Sequence, residues 1–123
     1  MGQQVPALDL RPPLLGLRTG QRQRPLRSNG VFLRLRCDEP CSYRAYGRLD
    51  LRRRGRKIAL SQRLGKLQAQ RAVRLRLGLS EVAVRSLRSA LRRGRRVRTR
   101  VIVRVRDQRG NLSKGSRLMR LVR

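Results

Sequence analysis

The two cysteines, Cys37 and Cys41, are the residues whose type and spacing allow a covalent link. A zinc site needs about four ligands, so two cysteines without any histidine supply only an incomplete or intermolecular one. A redox motif has two residues between its cysteines and a helix N-terminus beside it, whereas this pair flanks a predicted β-turn. A cross-strand disulfide is geometrically reasonable, because both cysteines fall on the same face of two predicted neighbouring strands. That bond implies an oxidising compartment; the alternative is two free, buried cysteines in a cytosolic protein.

The remaining chemical inventory argues against catalysis. The chain has no histidine, which removes Ser-His and Cys-His nucleophiles and histidine metal sites. Its six carboxylates are scattered, apart from Asp38 and Glu39 in a predicted turn, and no glycine-rich phosphate loop is present. Residues 107–111 have turn chemistry and too few oxygen ligands for a calcium loop. We therefore predict no catalytic residue, no metal, no cofactor and no small-molecule substrate.

The charge of the chain is strongly one-sided. Lys and Arg number 34 against 6 Asp and Glu, a net charge of +28 that attracts any nearby polyanion. Nearly all of these cations are arginine, which a GC-rich genome explains at least as well as selection for binding. The arginines singled out as candidate polyanion contacts are Arg34, Arg44, Arg52, Arg53, Arg54, Arg98, Arg100 and Arg104.

The chain divides into two parts by composition. Residues 1–29 hold four of the five prolines and are typical of an extended leader or linker, with one candidate edge strand around Leu14–Leu17. From residue 30 to 123 apolar residues alternate with arginine, which indicates half-buried strands of one β-sandwich module. Since aromatic residues make up 2% of the chain, its core must be aliphatic.

The first two strands of that module are predicted to form a hairpin around Asp38–Pro40. In this hairpin Cys37 opposes Cys41, and Phe32 meets Tyr46 on the outer face. The two rings together with Arg34 and Arg44 would make an exposed aromatic patch able to stack on a base or a sugar. The alternative is that this aromatic pair merely shields the sheet.

Further strands are predicted at residues 58–60, 73–79, 97–106 and 117–123. One short helix at about residues 81–93 interrupts them, with Ser80 as its N-cap and Gly94 as its C-terminal stop. Several short strands separated by turn signals favour an all-β sandwich of about seven strands over a parallel α/β sheet.

The order of these segments resembles the immunoglobulin-like or fibronectin-III-like β-sandwich modules in secreted multidomain proteins of high-GC actinobacteria. The resemblance covers roughly residues 9–123. It implies an immunoglobulin-like fold and an extracellular or cell-surface accessory module that contacts other domains of a longer polypeptide or cell-envelope components. The segments that carry the resemblance are Gly30-Val31, Cys37–Cys41, Ala45–Leu49, Leu75–Ser80, Leu87–Gly94 and Asp107–Asn111.

Two features depart from such modules, and they keep other functions open. The first residues show no basic-then-apolar export signal, and arginine occupies strand faces where those modules often carry Thr or Ser. The alternative is a basic nucleic-acid-binding protein in the cytoplasm, for example one associated with the ribosome. A third hypothesis is attachment to an acidic envelope polymer or anionic lipid surface. Nonspecific binding of nucleic acid or other polyanions at low salt is expected in each case. No apolar run approaches the ~20 residues that a transmembrane helix needs.

Overall fold

A computed structural model of the chain describes residues 11–51 and 57–123. These residues form nine strands and two helices. In chain order the elements are β1 Leu15–Arg18, β2 Arg22–Gln23, α1 Pro25–Ser28, β3 Gly30–Cys37, β4 Cys41–Asp50, β5 Lys57–Ala59, β6 Arg63–Leu67, β7 Val73–Gly78, α2 Glu81–Arg92, β8 Val97–Asp107 and β9 Leu112–Leu121.

The strands belong to two sheets. The small sheet has the order β1-β3-β7, and the large sheet has the order β2-β9-β8-β4-β5, with β6 also pairing β4. All pairings are antiparallel except that of β2 with β9. The predicted all-β sandwich with one short helix in a connection is confirmed, with more strands among the described residues than the seven expected.

The core lies between the two sheets and is aliphatic. The predicted alternation holds on β3 and β8, where every second side chain from Val31 to Cys37 and from Val97 to Val105 is buried. Thr99 is the polar member of the β8 series, and its hydroxyl donates a 2.6 Å hydrogen bond to the carbonyl of Arg48. That bond satisfies the hydroxyl, so a polar side chain is accommodated in an apolar layer.

Helix α2 begins and ends close to the predicted positions. The hydroxyl of Ser80 accepts a 3.1 Å hydrogen bond from the backbone N–H of Ala83, as an N-cap does. Ala83, Leu87 and Ala90 are buried at helical spacing. Gly94 follows the helix with a φ of 71°, the left-handed conformation that favours glycine at a helix end.

The predicted β3–β4 hairpin is wrong. β3 pairs with β1 and β7 in the small sheet, whereas β4 pairs with β5, β6 and β8 in the large sheet. Alternation predicts which face of each strand is buried, but it does not distinguish pairing side by side from stacking across the core. In the structure the apolar faces of β3 and β4 point into the same core from opposite sheets, and the short connection at Asp38–Pro40 crosses from one sheet to the other.

The predicted disulfide between Cys37 and Cys41 is present. Its role differs from the prediction, since it joins the end of β3 to the start of β4 and thus links the two sheets, not two strands of one sheet. The Cα atoms of the two residues are 6.6 Å apart, and both side chains are buried.

Several other boundaries differ from the sequence-based expectation. The final strand begins at Leu112, not at residue 117, and β6 had no predicted counterpart because its residues show little alternation. Within residues 11–29, β1 pairs with β3, β2 pairs with β9, and α1 connects β2 to β3. The side-chain amide of Gln23 both donates to the carbonyl and accepts from the N–H of Phe32, each at 2.7 Å, which attaches this segment to the sandwich.

The turn after β8 has the chemistry predicted for it. One carboxylate oxygen of Asp107 accepts hydrogen bonds from the backbone N–H groups of Arg109 and Asn111 at 2.9 and 2.8 Å, and the other accepts from the Asn111 amide at 3.1 Å. Gly110 has a φ of 87°. Burial raises the pKa of Asp107, but a hydrogen bond with the Glu39 side chain and those from Asn111 and Arg109 outweigh it, so the net pKa is lowered.

A lowered pKa at Asp107 links this turn to stability. Because the folded state holds the carboxylate more strongly than the unfolded chain, the stabilisation is complete above the unfolded pKa of about 4. It is lost as the pH falls through the lower pKa of the folded state. We expect Asp107→Asn to lower the urea midpoint at pH 6 and to flatten its decline between pH 5 and pH 2, with Glu81→Gln as the control for loss of one negative charge. Identical pH profiles for Asp107→Asn and wild type would contradict this expectation.

Candidate polyanion interface

The outer face of the large sheet carries arginines in register across its strands. Antiparallel pairing places Arg44 opposite Arg104 and Arg48 opposite Arg100 on β4 and β8. The first row continues to Lys114 on β9. Residues paired in this way lie about 4.5–5.5 Å apart at their Cα atoms, so each row is a short line of positive charge.

A less charged row separates these two lines of cations. Tyr46 pairs with Ile102, and Ile102 pairs with Ser116, midway between the rows of Arg44 and Arg48. Since successive residues on one face are about 6.6 Å apart along a strand, the cationic rows lie about 13 Å from each other. The guanidinium of Arg104 lies 6.0 Å from the centre of the Tyr46 ring, within the range of a cation–π contact.

Two shallow hollows flank the Tyr46 ring. One, of about 630 Å³, extends over β8 and β9, and the other, of about 370 Å³, extends toward β5 and residues 60–62. The larger hollow, termed the groove below, has six cationic side chains and one carboxylate, Asp50, around it. The cations are Arg48, Lys57, Arg98, Arg100, Arg104 and Lys114.

The electrostatics of this face oppose folding. Like charges placed directly opposite each other across a strand pair destabilise a sheet, and Arg44–Arg104 and Arg48–Arg100 are two such pairs in adjacent strands. Asp50 moderates the repulsion locally, because its register places it between Lys57 and Arg98. An extended anion lying in the groove would neutralise the remaining positive charge, so the arrangement suits a polymer of regularly spaced negative charge.

The structure brings some of the predicted site residues together and separates others. Arg44, Arg98, Arg100 and Arg104 share the outer face of the large sheet. Arg34 and Phe32 lie on the outer face of the small sheet. The predicted Phe32–Tyr46 patch is therefore not formed, since it depended on the wrong hairpin. Arg52, Arg53 and Arg54 lie outside the described residues.

Sequence reasoning missed part of the groove. Arg48 follows the same alternation but was not among the candidate contacts, and neither were Lys57 and Lys114. Strand pairing assembles these residues, because Lys57 is opposite Asp50 and Lys114 is opposite Arg104. The available signal was that the outward positions of β4 and β8 carry arginine at matching intervals, Arg44 and Arg48 against Arg100 and Arg104.

Within residues 11–51 and 57–123, no group of three or more Cys, Asp or Glu side chains is placed to hold a metal ion. Over the same residues, neither helix has the length and apolar character needed to cross a membrane.

No protein-family model matches the chain, and no curated protein matches it.

Proposed function

We propose that this chain is a non-catalytic extracellular or cell-surface interaction module that binds an anionic, phosphodiester-linked polymer of the cell envelope. The observation that carries the proposal is the groove between two cationic rows on the outer face of the large sheet. Arginine matches phosphate well, because its planar guanidinium offers paired N–H donors to two oxygens. A regular line of such groups suits a repeating anion better than a single small ligand.

The strand order supports the immunoglobulin-like part of the proposal. Immunoglobulin sandwiches place strands A, B and E on one sheet and strands G, F, C and C′ on the other. In that lettering the small sheet is A-B-E, formed by β1, β3 and β7, and the large sheet continues G-F-C-C′ through β9, β8, β4 and β5. The disulfide departs from the antibody pattern, since it joins B to C instead of B to F.

The disulfide supports the extracellular part of the proposal. Disulfides persist in oxidising compartments and are rare where thiols are kept reduced. Both Cys37 and Cys41 are buried at the end of the core, so the bond contributes to the sandwich itself and is not an exposed reactive pair. A module that operates outside the cell benefits from a covalent link between its sheets.

A second candidate function is binding of single-stranded nucleic acid in the cytoplasm. The observation that favours it is the position of Tyr46 between the cationic rows, since aromatic rings on cationic surfaces stack with bases. The same groove would then contact the phosphates while the ring contacts a base. The two functions share the phosphate chemistry and differ in whether a base adds affinity.

Binding to immobilised poly(glycerol phosphate) and to oligo(dT) tests both candidates. On the salt-linkage rule, each arginine contact contributes about 0.7 to the slope of log affinity against log salt, which corresponds to about fivefold in affinity at about 0.1 M salt. We therefore expect Arg100→Gln/Arg104→Gln to weaken binding of poly(glycerol phosphate) by the groove about 25-fold. The matched control, Arg88→Gln/Arg92→Gln, removes two exposed charges from α2 and should bind like wild type.

The outcomes separate the hypotheses. Equal losses in the groove variant and the α2 variant would show that net charge alone drives binding, and would overturn the proposed interface. Tighter binding of oligo(dT) than of poly(glycerol phosphate) at equal phosphate concentration would favour the nucleic-acid function. Binding of neither polymer by the wild-type protein would contradict both candidates.

A further inference from the structure

A further hollow lies on the outer side of the small sheet. It has a volume of about 730 Å³ and is formed where the turn after β1 and helix α1 border β3 and β7. Phe32 is among the residues that line it, and none of the described lining residues is acidic. The arginines around it, termed the small-sheet cluster below, are Arg18, Arg24, Arg27, Arg34 and Arg74.

Strand pairing accounts for three members of the small-sheet cluster. Arg18 is opposite Arg34 on β1 and β3, and Arg34 is opposite Arg74 on β3 and β7. The row therefore crosses the whole small sheet, with its Cα atoms about 4.5–5.5 Å apart from strand to strand. As on the large sheet, like charges in direct opposition destabilise the free protein, and an anion would relieve that repulsion.

The other two members are supplied by helix α1. Arg24 follows Gln23 directly and precedes the helix, and Arg27 lies within the helix. The amide of Gln23 makes two 2.7 Å hydrogen bonds to the backbone of Phe32, as an additional strand would. This attachment fixes the segment carrying Arg24 and Arg27 against β3, so the cluster is organised before any ligand arrives.

Phe32 orients one of the guanidinium groups. The guanidinium carbon of Arg74 lies 4.1 Å from the centre of the Phe32 ring, the distance of a close cation–π stack. Stacking uses the face of the guanidinium and leaves its N–H donors, which lie in the plane of the group, directed to the sides. Those in-plane donors are the ones that bind a phosphate oxygen.

The small-sheet cluster and the groove face opposite directions. Sheets in a sandwich pack about 10 Å apart with their inner faces together, so the outer faces point away from each other. We propose that the small-sheet cluster is a second binding surface for the same phosphodiester-linked polymer, and that one molecule of the protein cross-links two polymer chains. This inference rests on the proposed function for the class of polymer, but not for the existence of the second surface.

A two-step capture experiment tests the cross-linking. Poly(glycerol phosphate) is immobilised, saturated with protein and washed, and fluorescent poly(glycerol phosphate) is then added. We expect wild type to retain the fluorescent chain. Arg34→Gln/Arg74→Gln and Arg100→Gln/Arg104→Gln should each still bind the immobilised chain at low salt but retain at least tenfold less of the fluorescent one. Arg88→Gln/Arg92→Gln should behave as wild type.

A second pair of substitutions protects the experiment against a folding defect. Arg18→Gln/Arg27→Gln leaves the Phe32–Arg74 stack intact and should show the same loss of fluorescent chain, with circular dichroism confirming the fold. Undiminished capture by both small-sheet variants would overturn the inference. A protein dimer that bridges two polymer chains through its two grooves would give that result. Binding of the first chain without capture of the second by wild type would also overturn it. Failure of wild type to bind the first chain would instead contradict the proposed function.

Discussion

Raising the salt concentration from about 50 mM to about 200 mM should weaken binding of a single-stranded phosphodiester polymer about 300-fold. Six cations surround the groove on the large sheet. Each phosphate contact on a single strand adds about 0.7 to the slope of log affinity against log salt, so six contacts give a slope of about −4. The affinity falls because protein binding releases cations from the polymer, and this release gains less entropy when the solution already contains more salt.

The slope itself separates the groove from the rest of the charged surface. Arg100→Gln/Arg104→Gln removes two of the six groove cations, and the magnitude of its slope should therefore decrease by about 1.4. Arg88→Gln/Arg92→Gln should leave the slope unchanged, although the net charge falls equally. Fluorescence anisotropy with labelled oligo(dT) over a range of salt concentrations measures both. An affinity for oligo(dT) that is independent of salt in the wild type would contradict electrostatic binding through the groove.

Reducing the Cys37–Cys41 disulfide should lower the free energy of unfolding by about 2 kcal/mol on the loop-closure model. That change corresponds to about a 30-fold shift in the folding equilibrium and, for a domain of this size, to a fall of about 8 °C in Tm. The bond closes a short loop, so its entropic effect is near the low end for disulfides. It nevertheless matters, because folded domains are stable by only about 5–15 kcal/mol.

Urea denaturation of wild type with and without dithiothreitol measures the effect of the disulfide. Cys37→Ala/Cys41→Ala is the control, since the reductant should not change its unfolding curve. Two titratable thiols in protein purified without reductant would show that the bond is absent in solution. Coincident curves for the oxidised and reduced wild-type protein would show that linking the two sheets at this position does not stabilise the fold.

The difference between predicted and observed pairing of β3 and β4 defines how far local pattern can be used. Alternation along Val31–Cys37 and along Cys41–Leu49 predicted the buried face of each strand, and those faces are buried. The same pattern is satisfied by a hairpin and by two strands stacked across a core. The choice depends on which other strands complete each sheet, and β1, β7 and β8 are distant in sequence.

Local interactions account for the features that were predicted well. The N-cap of α2, the turn at Asp107–Asn111 and the aliphatic core depend on residues within a few positions of each other or on composition alone. The disulfide could also be predicted from the sequence, because its cysteines are separated by four positions. These parts follow from hydrogen bonding and steric preference of neighbouring residues, which the sequence expresses directly.

The residues of the candidate site were predicted only in part. Arg44, Arg98, Arg100 and Arg104 were singled out as candidate contacts, but the sequence alone could not decide which of the chain's arginines share a face. Long-range strand register made that selection, placing Arg44 and Arg48 against Arg104 and Arg100 and moving Arg34 and Phe32 to the other side of the sandwich. The sequence alone was enough to predict that the two cysteines, considered first for their chemistry, form a disulfide. Tertiary structure decided that they join two sheets, because β3 and β4 pair with different strands elsewhere in the chain and so belong to different sheets.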